Sequence, residues 1–140
     1  MLHQISIFIE NKTGSLAEVT DFLAKKDVDI KALCIADTED FGILRIIVSD
    51  YAAVANQLRA AGFIIKVNHV IAVNMPDRPG GMASVVRVLA DNKLIVEYTY
   101  AFPIPKPDTA CVIFRVNDNA AAVNALEAAG IEVADEESLF

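Results

Sequence analysis

Two short stretches carry the residue types on which chemistry could turn. The first is Asn11-Lys12-Thr13-Gly14-Ser15-Leu16-Ala17, the second Asp77-Arg78-Pro79-Gly80-Gly81-Met82-Ala83. Each sets a polar residue, a base, a spacer, a glycine, a small residue and an apolar residue in that order. Each follows an apolar run, Ile5 to Ile9 in one case and Val70 to Val73 in the other. A strand that enters a tight turn and then a helix aims backbone N–H groups at one spot, with the positive end of the helix behind them. Such a spot suits a carboxylate or another small anion. The side-chain oxygen of Asn11 or Asp77, three residues before the glycine, adds an acceptor for an ammonium. A zwitterion needs both. The candidate donors are the amides of Gly14, Ser15 and Leu16 in one copy, and of Gly80, Gly81 and Met82 in the other. Either glycine alone would read as relief of a tight turn; its duplication beside an acceptor favours a binding site. Pro79 is expected in the first helical turn, where no N–H is missed.

The elements that must hold these turns repeat as well. Gly14 and Gly80 are 66 residues apart, and the same offset pairs His3 with His69, Ile5 with Ile71, Val19 with Val85 and Leu23 with Leu89. Further on, Leu58-Arg59-Ala60-Ala61-Gly62 matches Leu126-Glu127-Ala128-Ala129-Gly130 at an offset of 68. The second copy therefore holds two extra residues, placed in the Pro-rich stretch 102–107. The first copy reads as a strand over 3–9 and a helix over 15–26, with Leu16, Val19, Phe22 and Leu23 on one face. Strands at 30–36 and 41–48 flank a turn at 37–40. A helix capped by Asp50 and closed by Gly62 follows, then a strand at 63–67. The second copy repeats the order: strand 69–75, helix 81–91, strands 94–101 and 109–116, helix 119–129 capped by Asp118, strand 131–134. Phe63 to Met75 is almost unbroken strand, so one copy runs straight into the next. The domains are thus 1–67 and 68–140. Each is a ferredoxin-like βαββαβ unit, α+β in class, with an antiparallel sheet and helices on one face. The two units joined side by side would give an eight-stranded sheet. The acidic tail 135–140 is expected to be ordered by docking of Leu139 and Phe140.

Composition narrows the function. The chain of 140 residues carries a net charge of −7 and is 54% hydrophobic. An acidic chain lacks the basic footprint of a nucleic-acid binder. No apolar run is long enough to span a membrane, and the start lacks the pattern of a signal peptide, so a cytoplasmic location is expected. Cys34 and Cys111 lie in apolar runs and read as buried small hydrophobes, not a disulfide or metal site. His3 and His69 occupy one repeat position, but no Cys, Asp or Glu at ligand spacing supports a metal site. Tyr98, Tyr100 and Phe102 read as core, or as a wall of the ligand pocket. No nucleophile elbow, phosphate-binding loop or HExxH occurs, and neither enzymatic activity nor a cofactor is expected.

The repeat resembles the ACT domain, a small-molecule-binding regulatory module of amino-acid metabolism. The matching features are the D/N-K/R-x-G-x-L/M turn, the following helix ending in Val28-Asp29-Ile30, and the Leu-x-Ala-Ala-Gly helix end before the final strand. The resemblance covers almost the whole chain as two tandem copies. It implies amino-acid binding at an interface between two ACT units whose sheets pair edge to edge. Carried over, the ligand contacts fall on Asn11 or Asp77, on the backbone at Gly14 or Gly80, and on Asp29, where relatives often carry Asn. Ile95 stands where repeat one has Asp29, so the repeats should not bind alike. The expected function is a regulatory protein that senses a free amino acid and passes this to a partner, with a homodimer expected. The alternative is an accessory module docking on an amino-acid metabolic enzyme, its ligand site degenerate. An open sheet face that includes Phe8 is the expected seat of a second chain.

Overall fold

Ile5, Ile7 and Ile9 set every second side chain of the first strand on one side. That spacing turns a hydrophobic sequence into a sheet with one helix-covered face. The computed structural model describes every residue except Thr38 and Glu39, so the middle of the turn expected at 37–40 lies outside the described residues. The elements are β1 (Leu2–Glu10), α1 (Ser15–Lys25), β2 (Ala32–Asp37), β3 (Phe41–Ile47), α2 (Tyr51–Ala60), β4 (Ile64–Pro76), α3 (Gly81–Asp91), β5 (Val96–Phe102), β6 (Thr109–Val116), α4 (Asn119–Ala128), β7 (Val133–Ala134) and α5 (Glu136–Leu139). The chain divides into two compact units, His3–Asn68 and His69–Phe140, the second taking in Met1 and Leu2.

In the first unit β3 is paired antiparallel to β1 on one side and to β2 on the other. Ser6 Oγ donates to Asn68 Oδ1 at 2.8 Å and ties β1 to the start of β4. Ile5, Ile7, Leu44 and Ile46 pack with Val19 and Leu23 of α1 and with Val54 and Leu58 of α2. Leu16 departs from its expected place on the buried face of α1. It is 43% exposed, and the residues that α1 buries are Ser15, Val19 and Leu23.

In the second unit β6 lies between β4 and β5, and β7 adds to the far side of β4, all antiparallel. Ile71, Val73, Val85, Leu89, Phe114 and Leu126 form the matching core. The tail docks as expected: Phe140 meets Phe102 edge-on, with ring centroids 6.3 Å apart.

Three expectations are corrected. The strands expected at 63–67 and 69–75 are one strand, β4, since no turn residue interrupts Ile64 to Met75; the described chain has seven strands and not eight. The strand expected from residue 94 begins at Val96, with a bulge before Tyr98. Leu94 and Ile95 are held outside it, the first by its N–H to Leu89 O and the second by its N–H to Asn117 Oδ1 at 2.9 Å. The last strand shrinks from 131–134 to Val133–Ala134, because Ile131 is drawn into the helix end by its N–H bond to Leu126 O.

Each long helix ends in the same closure. The N–H after the cap reaches back to the last turn, as in Gly62 N to Arg59 O (3.0 Å) with Phe63 N to Leu58 O (3.1 Å). This is the Schellman pattern, and it requires a residue with positive φ. Gly62 and Gly130 meet that demand for α2 and α4, whereas Asp27 (φ 57°) and Lys93 (φ 59°) meet it for α1 and α3.

Candidate functional site

Both glycine turns fold alike. Ser15 N donates to Lys12 O at 3.3 Å and Gly81 N to Arg78 O at 3.0 Å. Gly14 has φ 91° and ψ −13°, Gly80 φ 90° and ψ −12°. That is a type II turn with glycine at its third position, the one that needs positive φ. Pro79 is therefore the second residue of the turn, a place its fixed φ suits, and not a residue of the first helical turn. Neither α1 nor α3 has a side chain capping its N-terminus. The amides of Ser15 and Gly81, counted among the donors on sequence grounds, are bonded inside the turn. Leu16 and Met82 follow at the first helical turn, where the orphan N–H groups of a helix lie.

Gly81 has its own reason to be glycine. A Cβ there would run into the carbonyl oxygen of Pro76, whereas a Cβ at Gly80 would meet nothing. Repeat one has the buried Ser15 at the position of Gly81. The start of α3 thus lies closer to its preceding strand than a side chain permits.

Two clefts flank the start of α3. The inner one, about 410 Å³, lies between the end of β4, the first turn of α3 and the loop after α4. Gly81 and Ser84 line it, with Asn74, Lys106 and Asp108. The outer cleft, about 340 Å³, lies between the turn and β5, and is lined by Asp77, Arg78 and Met82 with Tyr100 and Val112. The sequence-derived residues of repeat two are therefore split. Asp77 and Met82 share the outer cleft, Gly81 faces the inner one, and Gly80 shapes the turn between them. Asp77 is fixed by its N–H to Asp108 O at 2.9 Å, and its side chain is exposed.

Repeat one has a counterpart of the inner cleft, about 250 Å³, where Ser15 joins Phe8, Lys12 and Glu18. Asn11 occupies the position of Asp77, with its N–H near Asp40 O at 3.4 Å. The charge of Lys12 is already matched: Glu10 holds its ammonium at 2.9 Å and raises its pKa by hydrogen bond and charge. Repeat two has Pro76 in place of Glu10. Among the described residues Arg78 makes no ion pair, so its guanidinium is available to an anion.

Asp29 does not meet the turn of its own unit. It follows the C-terminus of α1, and an 11-residue helix puts roughly 16 Å between its ends. Its carboxylate is bound by Lys31 Nζ at 2.7 Å. The residues of repeat one singled out by sequence thus fall into two groups at opposite ends of one helix.

Asn74 was not singled out by sequence. Its Oδ1 is buried without a hydrogen-bond partner, and it stands where repeat one has Phe8. The signal was present as a polar residue inside the apolar run Val70 to Met75, visible once the repeats are aligned. Lys106 and Asp108 were hidden in the stretch where the copies differ in length. The histidines diverge: His3 stacks on Tyr51 at 3.8 Å, while the backbone oxygen of His69 accepts from Arg115 and Asn119. Among the described residues no group of His, Cys, Asp or Glu is placed to hold a metal ion, and no helix is long and apolar enough to cross a membrane.

The family model of the ACT domain pair matches residues 1–139. No curated protein matches. Among solved structures, protein BT0572 from Bacteroides thetaiotaomicron is 35% identical, with a TM-score of 0.91 over 99% of this chain and 94% of that one. The regulatory subunit of aspartate kinase from Thermus thermophilus is similar in fold, at 18% identity and a TM-score of 0.65 over 91% of each chain. The corresponding subunit from Thermus flavus gives 16% identity and a TM-score of 0.63, covering 91% of this chain and 92% of that one. With a paired βαββαβ plan and a glycine turn at the head of the first helix in each unit, the chain belongs to the ACT family, as an ACT domain pair.

Proposed function

We propose that this ACT pair is a non-catalytic regulatory protein that binds a free amino acid in the outer cleft of repeat two. The observation that carries the reading is Arg78 without an ion pair beside the Asp77 carboxylate, at the uncapped start of α3. Asp77 takes the ammonium. Arg78 and the first-turn amides of α3 take the carboxylate, an arrangement favoured by the helix dipole. The wall that Val112 and Ala110 provide suits an apolar or small side chain. Repeat one, with Lys12 neutralised by Glu10, is the weaker site. Occupancy would bias a contact to a partner by about 1–3 kcal/mol, the usual scale of such coupling.

A thermal-shift screen of the twenty amino acids tests this. Ligand at about 100 times its dissociation constant adds roughly 2.7 kcal/mol, which raises the melting temperature by several degrees. Asp77→Ala and Arg78→Ala should each abolish that shift while the ligand-free melting temperature stays put, because both side chains are exposed. A flat screen at millimolar concentrations would favour the second reading, an accessory module docking on an enzyme of amino-acid metabolism. The matched pair Glu10–Lys12 speaks for that reading, since it is what a degenerate site would look like.

A further inference from the structure

The two repeats differ in what β2 and β5 set on the helix side of the sheet. Thr99 and Ala101 of β5 stand where β2 has Leu33 and Ile35, at the repeat offset of 66. The register agrees: Ile35 opposes Leu44 in one unit, and Ala101 opposes Val112 in the other. Directly opposed residues of an antiparallel pair share a face, and Leu44 and Val112 both belong to the helix-side cores. Leu33 and Ile35 are each 51% exposed, so each stands half clear of the sheet. In repeat two that space belongs to the outer cleft, which Thr99 and Ala101 line. Repeat one closes over the next strand as well. Gly42 stands where repeat two has Ala110, and a Cβ there would meet Ile9 Cγ1 at 3.4 Å. Repeat two has the unbranched Met75 in place of Ile9.

The sheet does not ask for this trimming. Alanine is depleted in strands, so β5 gains nothing as a strand from Ala101. The room it leaves has a size. Thr99 and Ala101 together carry four side-chain heavy atoms, Leu33 and Ile35 eight. What is missing equals one leucine or isoleucine side chain. The room has a polarity too. Thr99 Oγ1 donates its hydrogen to Ile113 O at 2.7 Å. The side chain of Tyr100 stands on the opposite face, since neighbours along a strand alternate. Met75, Met82, Ala101, Ala110 and Val112 add no charge and no hydrogen-bond donor. The charged groups of the cleft, Asp77 and Arg78, lie at the turn.

We infer that Thr99 and Ala101 set the specificity of the outer cleft, for an α-amino acid whose side chain is apolar and built of four heavy atoms, the class of leucine, isoleucine and methionine. The inference rests on the proposed function, which puts the ligand's ammonium on Asp77 and its carboxylate on Arg78. With both charged ends held at the turn, the side chain extends over the floor of β5. In repeat one Leu33 and Ile35 already fill that place. A charged or amide side chain would lose its water there and find no partner on the floor.

Isothermal titration of the full chain with each of the twenty amino acids tests this. Leucine, isoleucine or methionine should bind tightest. Alanine, which leaves the floor bare, and tryptophan, which overruns it, should each be weaker by about tenfold or more. Ala101→Ile restores the residue of repeat one, and should weaken the best ligand by about tenfold or more while alanine still binds as before. Thr99→Leu should act in the same direction. The circular dichroism spectrum of both variants should be unchanged, because both positions are exposed. Ala101→Gly, which deepens the floor, should move the preference toward phenylalanine. A tightest ligand with a charged, amide or aromatic side chain, or one smaller than valine's, overturns the inference. So does an affinity for leucine that Ala101→Ile and Thr99→Leu both leave intact. If Asp77→Ala and Arg78→Ala still abolish binding in either case, the proposed function stands without it. A chain that binds no amino acid overturns both.

Discussion

Gly80 and Gly81 are neighbours that lack a side chain for different reasons. At Gly80 the space is open and only the backbone, at φ 90°, resists a Cβ. At Gly81 the carbonyl of Pro76 occupies the place a Cβ would take. Gly80→Ala should therefore cost about 1–2 kcal/mol, the penalty of a left-handed L-residue. Gly81→Ala should cost more, because α3 must move away from β4; chemical denaturation of the two variants measures the order. Sequence could read that a tight turn stands here twice, since glycine at a fixed place before a helix is a local signal. It could not read which amides the turn keeps for itself, because that depends on the distance from Gly81 N to Arg78 O. The cysteines separate along the same line. Burial pushes the Cys111 thiol up to about 11, and raises Cys34 less, since the Arg45 hydrogen bond and charge oppose it. A maleimide should label Cys34 well before Cys111 at neutral pH, read by mass spectrometry.

Helix ends show how much local sequence can dictate. Asp50 Oδ1 accepts from Ala53 N at 3.2 Å and Asp118 Oδ1 from Ala121 N at 3.0 Å, the caps expected for α2 and α4. Asp50→Ala or Asp118→Ala should each cost about 1 kcal/mol in the same denaturation experiment. The closures of α1 and α3 lack the glycine that α2 and α4 have. Lys93→Gly, which relieves φ 59° without touching a partner, should stabilise the chain by roughly 0.5–1 kcal/mol. At α5 the Asp135 carboxylate accepts from the N–H of Ser138 at 2.8 Å, and the backbone and side-chain bonds to Ser138 hold its pKa below the ordinary carboxylate value. A lowered folded pKa means that the cap is fully present above the unfolded pKa and is lost as pH falls through the folded one. The edge contact of Phe140 on Phe102 should loosen in that acidic window, seen as loss of ring cross-peaks by NMR. Strand ends were less legible than helix ends. The start of β5 is set by a side chain 22 residues away, Asn117, which no local pattern announces.

At the scale of the molecule, the repeat was legible because both copies keep the same turn, caps and closures at nearly constant spacing. The candidate clefts were less so, since they are lined where the copies differ: Pro76 for Glu10 and Asn74 for Phe8. A shared plan fixes the fold and leaves each copy free to diverge at these positions. The strand β4 adds a consequence of its own. Residues 64–76 pass from the first copy to the second with no loop for a protease to enter. Brief digestion with proteinase K should nick the prolines' neighbourhood at 103–108 before it cuts anywhere in 64–75. A gene split at 67/68 would hand each product half of a strand, and neither fragment should be recovered folded.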